Sequence, residues 1–307
     1  MTAFPETTLQ AAAGSPFDLD DTAAYVAWRT HKLAAYPQAV DELRVAVAHG
    51  GELSGAELGK AHRALQRANF FIYHLPEPGG DKPLVRQLGR RFGLERLDNN
   101  LCADDDGISS LRVVERRREG EYIPYTNKRL NWHTDGYYNR PDEQIRAVIL
   151  HCVQPAATGG ESALLDHEIA YILLRDADPE LVRALMAPDA MRIPPNVQDG
   201  RVIRPAQGGP VFSVDSGGHL HMRYSARARN IDWKGNSTTH AAAEFLLNLF
   251  QQDSPYIFRH QLKSGEGILG NNVLHCRTSF EDDPAGSQTR LLYRARYFDR
   301  VVDMRNQ

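Results

Sequence analysis

Two residues apart, His133 and Asp135 stand in the stretch Asn131-Trp132-His133-Thr134-Asp135-Gly136-Tyr137-Tyr138. The aromatic context favours a strand. On a strand, residues i and i+2 point to one face, so an imidazole and a carboxylate would aim at the same point. Two readings follow. The pair is a histidine hydrogen-bonded to a neighbouring carboxylate at a strand end, or it is two-thirds of a metal site. Two histidines and a carboxylate on one side of a metal leave its other positions open, the pattern of non-haem Fe(II) oxygenases.

A third ligand is available in Gly270-Asn271-Asn272-Val273-Leu274-His275-Cys276-Arg277-Thr278-Ser279-Phe280, which reads as a strand ending in polar residues. A β-barrel can supply two ligands from one strand and a third from a distant strand across the barrel. Beyond His275, the run Thr289–Tyr297 alternates Arg290, Arg294 and Arg296 with Leu291, Tyr293 and Ala295. As a strand it carries three guanidinium groups on one face. Buried arginines need anionic partners. These are either protein carboxylates or a bound dicarboxylate, which arginine grips bidentately.

Other residues compete for chemical roles. His219 and His221 form a rival pair after a Gly-Gly turn, without a carboxylate-plus-arginine constellation. His151 and His167 read as packing or hydrogen-bonding residues. Trp132, Tyr137 and Tyr138 could form an aromatic cage for a quaternary ammonium. Trp132 should face away from the metal, whereas Tyr137 keeps the parity of Asp135 unless Gly136 breaks the strand.

The elements that must position these residues are short. Asp20 to about His49 reads as helical, broken at Pro37. Gly50-Gly51 punctuates, and Ser54 with Glu57 predicts a capping box for a helix to about Asn69. Phe70–Leu75 reads as a buried strand and Lys82–Phe92 as a helix. Strand-like runs follow at Tyr122–Tyr125, Leu130–Thr134, Ala147–Val153 and, after the Gly159-Gly160 turn, Ser162–Leu165. Asp166–Leu174 and Pro179–Met186 look like an inserted helical pair. Val211–Val214 and His219–Tyr224 flank a hairpin signal. A helix from Thr238 to Phe250 is capped by Ser237 or Thr238, and strands at Tyr256–Leu262, Gly267–Leu269, Val273–Cys276 and Leu291–Phe298 close the chain. Asp104–Ser110 and Asp189–Arg204 read as lid loops. The expected fold is mainly β with helical additions: a double-stranded β-helix (jelly roll, cupin-like) with N-terminal and inserted helices. We read residues 1–307 as a single catalytic domain, with 1–120 mostly helical and 121–300 forming the jelly-roll core.

Composition excludes several classes. The 307 residues carry a formal net charge of −3, which argues against nucleic-acid and membrane-surface partners. The basic cluster Arg116-Arg117-Arg118 is flanked by Glu115, Glu119 and Glu121 and reads as a solvated face. Cys102, Cys152 and Cys276 are scattered, which argues for a reducing compartment and against a zinc ribbon. The start of the chain lacks signal-peptide features, and no apolar run approaches the roughly 20 residues of a membrane span. The expected location is the cytoplasm, and the expected partner is a small-molecule substrate. A homo-oligomer is left open.

At this point the chain resembles the TauD/TfdA-type branch of the Fe(II)/2-oxoglutarate-dependent dioxygenases, which includes the γ-butyrobetaine hydroxylase-like enzymes. The resemblance rests on Asn131-Trp132-His133-Thr134-Asp135, Pro155-Ala156-Ala157-Thr158-Gly159-Gly160-Glu161-Ser162, Leu274-His275-Cys276-Arg277 and the downstream Arg290, in the family's order. It implies that His133, Asp135 and His275 bind Fe(II), and that Arg290 and Ser162 hold the distal carboxylate of 2-oxoglutarate. It implies O2 as the other co-substrate. Arg294 matches a position that meets an anionic substrate group, although the Glu281–Gln288 loop stretches the spacing between His275 and Arg290. The intact Asp135 matters, because related halogenases have a small residue there to admit chloride. The expected reaction is hydroxylation, or desaturation, of a small zwitterionic or anionic metabolite, with 2-oxoglutarate converted to succinate and CO2. A cupin-type zinc or other metal hydrolase and a non-catalytic binding module on the same fold are the alternatives. The first gives no role to Arg290, and the second no reason for three intact ligands.

Overall fold

The computed structural model describes residues 14–48, 52–99, 104–114, 122–227, 231–286 and 289–301. Gly50-Gly51, Cys102 and the Arg116–Arg118 cluster with its flanking glutamates lie outside the described residues. The described residues fall into two compact units, one within Met1–Tyr36 and His167–Gln252, the other within Pro37–Asp166 and Asp253–Gln307.

The second unit is built on two sheets. The larger has six strands in the order Arg44–Ala46, Phe70–His74, Glu266–Gly270, Ala147–Gln154, Leu291–Tyr297, Ser109–Leu111. Only the first pair is parallel. The smaller has four antiparallel strands in the order Phe258–His260, Ser162–Leu165, Leu274–Arg277, Leu130–His133. This is the jelly-roll, double-stranded β-helix arrangement expected from many short strands. Ala147–Gln154 shows the alternation that makes it work. Ala147, Ile149 and His151 are buried on one face, while Val148 and Leu150 on the other line a cavity.

Local signals account for several boundaries. The Ser54 hydroxyl accepts from the Glu57 N–H (3.3 Å) and the Glu57 carboxylate accepts from the Ser54 N–H (2.7 Å), starting the helix Gly55–Ala68 as a capping box. Asn69, at φ 61°, ends it in the left-handed conformation that asparagine tolerates. The helix expected over residues 20–49 is shorter, Thr22–Ala35. Beyond Pro37, Arg44–Ala46 is instead a strand, with Val45 buried and paired with Tyr73. A free sheet edge outweighs helix propensity here. Ile123–Tyr125 is a 3₁₀ turn and not a strand, as suits Pro124, which has no N–H for a ladder.

The two proposed lid loops are more ordered than expected. In Asp104–Ser110, Lys82 bridges Asp104 and Asp106, the Ser110 hydroxyl donates to Asp104 (2.7 Å), and Ser109–Leu111 joins the large sheet. Asp189–Arg204 contains three strands, Met191–Ile193, Asn196–Gln198 and Arg201–Arg204. Asp199 and Gly200 both have positive φ and close a hairpin. Asp-Gly is a strong sequence signal for that turn.

The first unit holds the helices Thr22–Ala35, His167–Ala177, Pro179–Met186 and Ser237–Leu249 with short strands, including the expected hairpin Phe212–Val214 and Leu220–Met222. Phe17, Tyr25, Trp28, Tyr171 and Phe212 form an aromatic cluster, with Arg175 stacked on Tyr25 at 3.9 Å. The cap of the last helix is Asn236, whose carboxamide oxygen accepts from the Thr239 N–H (2.7 Å), in place of Ser237 or Thr238. Among the described residues, no helix is long and apolar enough to cross a membrane.

Candidate active site

His133 closes the strand Leu130–His133, and His275 lies in the antiparallel neighbour Leu274–Arg277, directly opposite it. The strands are hydrogen-bonded neighbours and not, as expected, distant across the barrel. Their imidazole centroids are 4.3 Å apart. Asp135 also departs from expectation. The strand stops at His133, and Asp135 begins a turn through Gly136. It reaches the site nonetheless, with Oδ1 3.7 Å from His133 Nε2. Ligand atoms of His133, Asp135 and His275 all lie within 4.8 Å of one another, the one such His/Cys/Asp/Glu cluster among the described residues.

The donor set is prepared for a cation. His133 Nδ1 bonds the Asn131 carbonyl (2.8 Å) and His275 Nδ1 bonds the Val273 carbonyl (2.9 Å). A carbonyl only accepts, so Nδ1 carries a proton in both rings, and Nε2 is the ring nitrogen left to face a metal. Burial, then the neighbouring His275, lowers the His133 pKa to about 3 and keeps it neutral. Burial pushes the Asp135 carboxyl up, but Arg294 and then Arg296 outweigh it and hold the group ionised. Asp135 Oδ2 is buried without a hydrogen-bond partner, which is costly for a carboxylate oxygen unless a ligand meets it. Two imidazoles and one carboxylate fit a first-row divalent ion such as Fe(II).

The turn after Asp135 depends on glycine. Gly136 has φ +66°, and a Cβ there would lie 2.4 Å from Ile145 Cγ1.

Two cavities share Ser162. The larger, about 450 Å³, is lined from the large sheet by Val148, Leu150 and Arg294 and from the small sheet by Leu164 and His275, with Asp135 at its edge. It therefore lies between the two sheets. The smaller, about 260 Å³, is lined by Arg290, Cys152, Pro155 and Gly160. Arg290 Nη1 is buried there without a partner, and burial lowers the guanidinium to about 10. A buried guanidinium with an unpartnered nitrogen could pair with an anion in this cavity. The Pro155–Ser162 segment frames it. Gly159, at φ +70°, pairs with Phe280 so closely that a Cβ would meet the Ser279 carbonyl oxygen at 2.3 Å. The Phe280 ring in turn lies 4.8 Å from the Arg290 guanidinium carbon.

The three arginines do not share one fate. Arg294 Nη1 lies 3.3 Å from Asp135 Oδ1 beside the candidate metal ligands. Arg296 is paired inside the protein, donating to Tyr138 Oη (2.8 Å) and to the Asp98 carboxylate. Tyr137 is half-buried, its ring 6.5 Å from that of His133. His219 of the rival pair, and His151 and His167, expected to pack or hydrogen-bond, all have other partners. His219 contacts Asp215 (3.1 Å) on an exposed turn, His151 bonds Tyr73 Oη and the Gly79 carbonyl, and His167 bonds the Leu220 carbonyl. Cys152 is a buried free thiol pushed up to about 12 by burial, not a nucleophile. Sequence reasoning missed Asn272 and Phe280, although two consecutive asparagines inside an apolar run carry a signal, since buried amides must be bonded.

The profile described as "Taurine catabolism dioxygenase TauD, TfdA family" matches residues 37–296. A uridine-5'-phosphate dioxygenase from Amycolatopsis sp is 30% identical over 171 residues, covering 54% of this chain and 60% of that protein. The chain therefore spans less than two-thirds of that relative's length. An asparagine oxygenase solved with Fe(II), 2S,3S-3-hydroxyasparagine and succinate has a TM-score of 0.56 at 16% identity, covering 83% of this chain and 93% of its own. The non-haem iron oxygenase OrfP, solved with Fe and α-ketoglutaric acid (2-oxoglutarate), has a TM-score of 0.59 at 15% identity, covering 84% and 83%. At those identities the two structures establish the fold. The family profile establishes more: the chain belongs to the TauD/TfdA family of dioxygenases, enzymes that use Fe(II), 2-oxoglutarate and O2.

Proposed function

We propose that this enzyme hydroxylates, or desaturates, a small anionic metabolite, and that His133, Asp135 and His275 hold its iron. The observation that carries this reading is the buried, unpartnered Asp135 Oδ2 within a ligand cluster whose histidines are both tied to backbone carbonyls through Nδ1. When bound, Fe(II) with 2-oxoglutarate and O2 would supply the oxidising chemistry: one oxygen atom would end in succinate as CO2 is lost, and the other in the hydroxylated product or, on desaturation, in water. The chain's own residues orient the reactants. Arg290, desolvated against Phe280, takes the distal carboxylate of 2-oxoglutarate, with Ser162 beside it where the two cavities meet.

Arg294, in the larger cavity with Asp135, takes an anionic group on the primary substrate, and Tyr137 offers a ring face near His133. Uridine 5'-phosphate, the substrate named for the Amycolatopsis relative, is anionic and comes first among candidates. Free thiols at Cys152 and Cys276 support a cytoplasmic location.

The test is succinate release after O2 is added to anaerobic enzyme loaded with Fe(II) and 2-oxoglutarate. Uridine 5'-phosphate, other nucleoside monophosphates, amino acids, betaines and sulfonates are screened in turn. Stimulated, stoichiometric succinate with an oxidised co-product supports the reading. Absence of any 2-oxoglutarate turnover, with tight retention of Zn(II), overturns it in favour of a hydrolase.

A further inference from the structure

We propose that Asn272 is a positioning residue for the metal centre, fixing the direction in which Asp135 presents its carboxylate. The inference rests on reading His133, Asp135 and His275 as that centre. Asp135 lies beyond the last residue of its strand, so no ladder orients its backbone. Asn272 supplies the missing partner. Its Oδ1 accepts from the Asp135 N–H (2.8 Å), and its Nδ2 donates to the Asp135 carbonyl (2.9 Å). One carboxamide therefore grips both polar groups of Asp135, as a neighbouring strand would. The same Nδ2 donates to the Ile145 carbonyl (2.6 Å), on the residue whose side chain crowds Gly136. The Asp135–Gly136 turn is held between Asn272 and Ile145.

Asn272 is suited to this by more than its amide. It is 3% exposed, so each bond is made without competition from water. Its φ of 51° is a left-handed conformation that asparagine adopts more readily than other side-chain-bearing residues. The next residue, Val273, gives its carbonyl to His275 Nδ1. Consecutive residues thus orient two ligands: Asn272 through a side chain to Asp135, and Val273 through its backbone to His275. An isosteric aspartate would keep the acceptor for the Asp135 N–H but turn an oxygen toward two carbonyls. Groups that orient metal ligands typically alter metal affinity about 10- to 100-fold when removed.

The adjacent Asn271 provides an internal control. It is similarly buried and bonded, with Nδ2 donating to Asn69 Oδ1 (3.1 Å) and Oδ1 accepting from the Val301 N–H (3.1 Å), and neither bond goes to a ligand residue. The experiment is anaerobic titration of Fe(II), and of Co(II) as a redox-inert probe, into wild type, Asn272→Ala, Asn272→Asp and Asn271→Ala, with a thermal melt of each. Asn272→Ala and Asn272→Asp should weaken metal binding about 10- to 100-fold. Asn271→Ala should lose comparable thermal stability yet keep wild-type metal affinity within about twofold. Should Asn272→Ala not fold, the isosteric Asn272→Asp carries the comparison. Wild-type affinity in the Asn272 variants, or an equal loss in Asn271→Ala, overturns the proposal. Failure of wild type itself to bind either metal strikes instead at the reading of the His133, Asp135, His275 cluster.

Discussion

His275 stands directly opposite His133 on adjacent antiparallel strands, their ring centroids 4.3 Å apart. Two ligands on one rung are held by the ladder itself, so the protein needs no closure to bring them together. Each ring is oriented by a carbonyl two residues upstream on its own chain. His133→Ala or His275→Ala should therefore weaken Fe(II) binding by more than the roughly 10- to 100-fold typical of outer residues while leaving the fold intact. Anaerobic metal titration with far-UV circular dichroism checks both. Retained tight binding would remove the mutated histidine from the centre.

Arg290 and Arg294 line different cavities and should be separable by kinetics. Arg290→Ala should raise the KM for 2-oxoglutarate about 10- to 100-fold, the equivalent of a lost charge-assisted hydrogen bond of about 1.5–3 kcal/mol, with Fe(II) affinity nearly unchanged. Arg294→Lys keeps the charge but loses the planar fork. It should raise the KM of the primary substrate and leave that of 2-oxoglutarate in place. The opposite pattern would exchange the two roles.

Gly136→Ala places a methyl group where only 2.4 Å separates it from Ile145 Cγ1, at φ +66°. The left-handed backbone alone costs about 1–3 kcal/mol, and the clash adds to it. The expected result is a lower Tm together with weaker metal binding, because the displaced turn carries Asp135. An unchanged Tm would show that Ile145 can move away freely.

Acid should act through Glu266. This carboxylate accepts from His260 Nε2 (2.8 Å), the Lys263 N–H (2.9 Å) and Arg44 Nη2 (2.6 Å). Burial pushes its pKa up, but the bond from His260 and then that from Lys263, helped by Arg44, lower it to about 2. A folded-state value below the unfolded one means the stabilisation is complete above about pH 4.3 and is lost as pH falls toward 2. Its size is roughly 2–3 kcal/mol, reduced by water around half-exposed Arg44. Denaturant melts at several pH values should show stability falling in that window for wild type. Glu266→Gln should be less stable at pH 7 and show a flatter acid limb. Parallel acid limbs would place the sensitivity elsewhere.

The types and order of the chemical groups were legible from residues alone. His133, Asp135, His275, the arginines from Arg290 onward and the Gly159-Gly160 turn declare themselves because each is costly to bury without a purpose or demands a special backbone. The short apolar run Ala147–Val153 and the alternation along Leu291–Tyr297 likewise announced strands, since apolar patterning and the two-residue period of a strand are local properties. Partnership is not local. Nothing near Arg296 says that Asp98 will neutralise it while Arg290 keeps a free Nη1, and, although Gly136 hints at a strand end, nothing near Asp135 says that Asn272 will take over its backbone. Those outcomes depend on strand register between segments far apart in the chain. The sequence by itself determined which groups could bind a metal and an anion. Tertiary pairing decided which of them face one another, because register and burial set each side chain's partner and hence its charge.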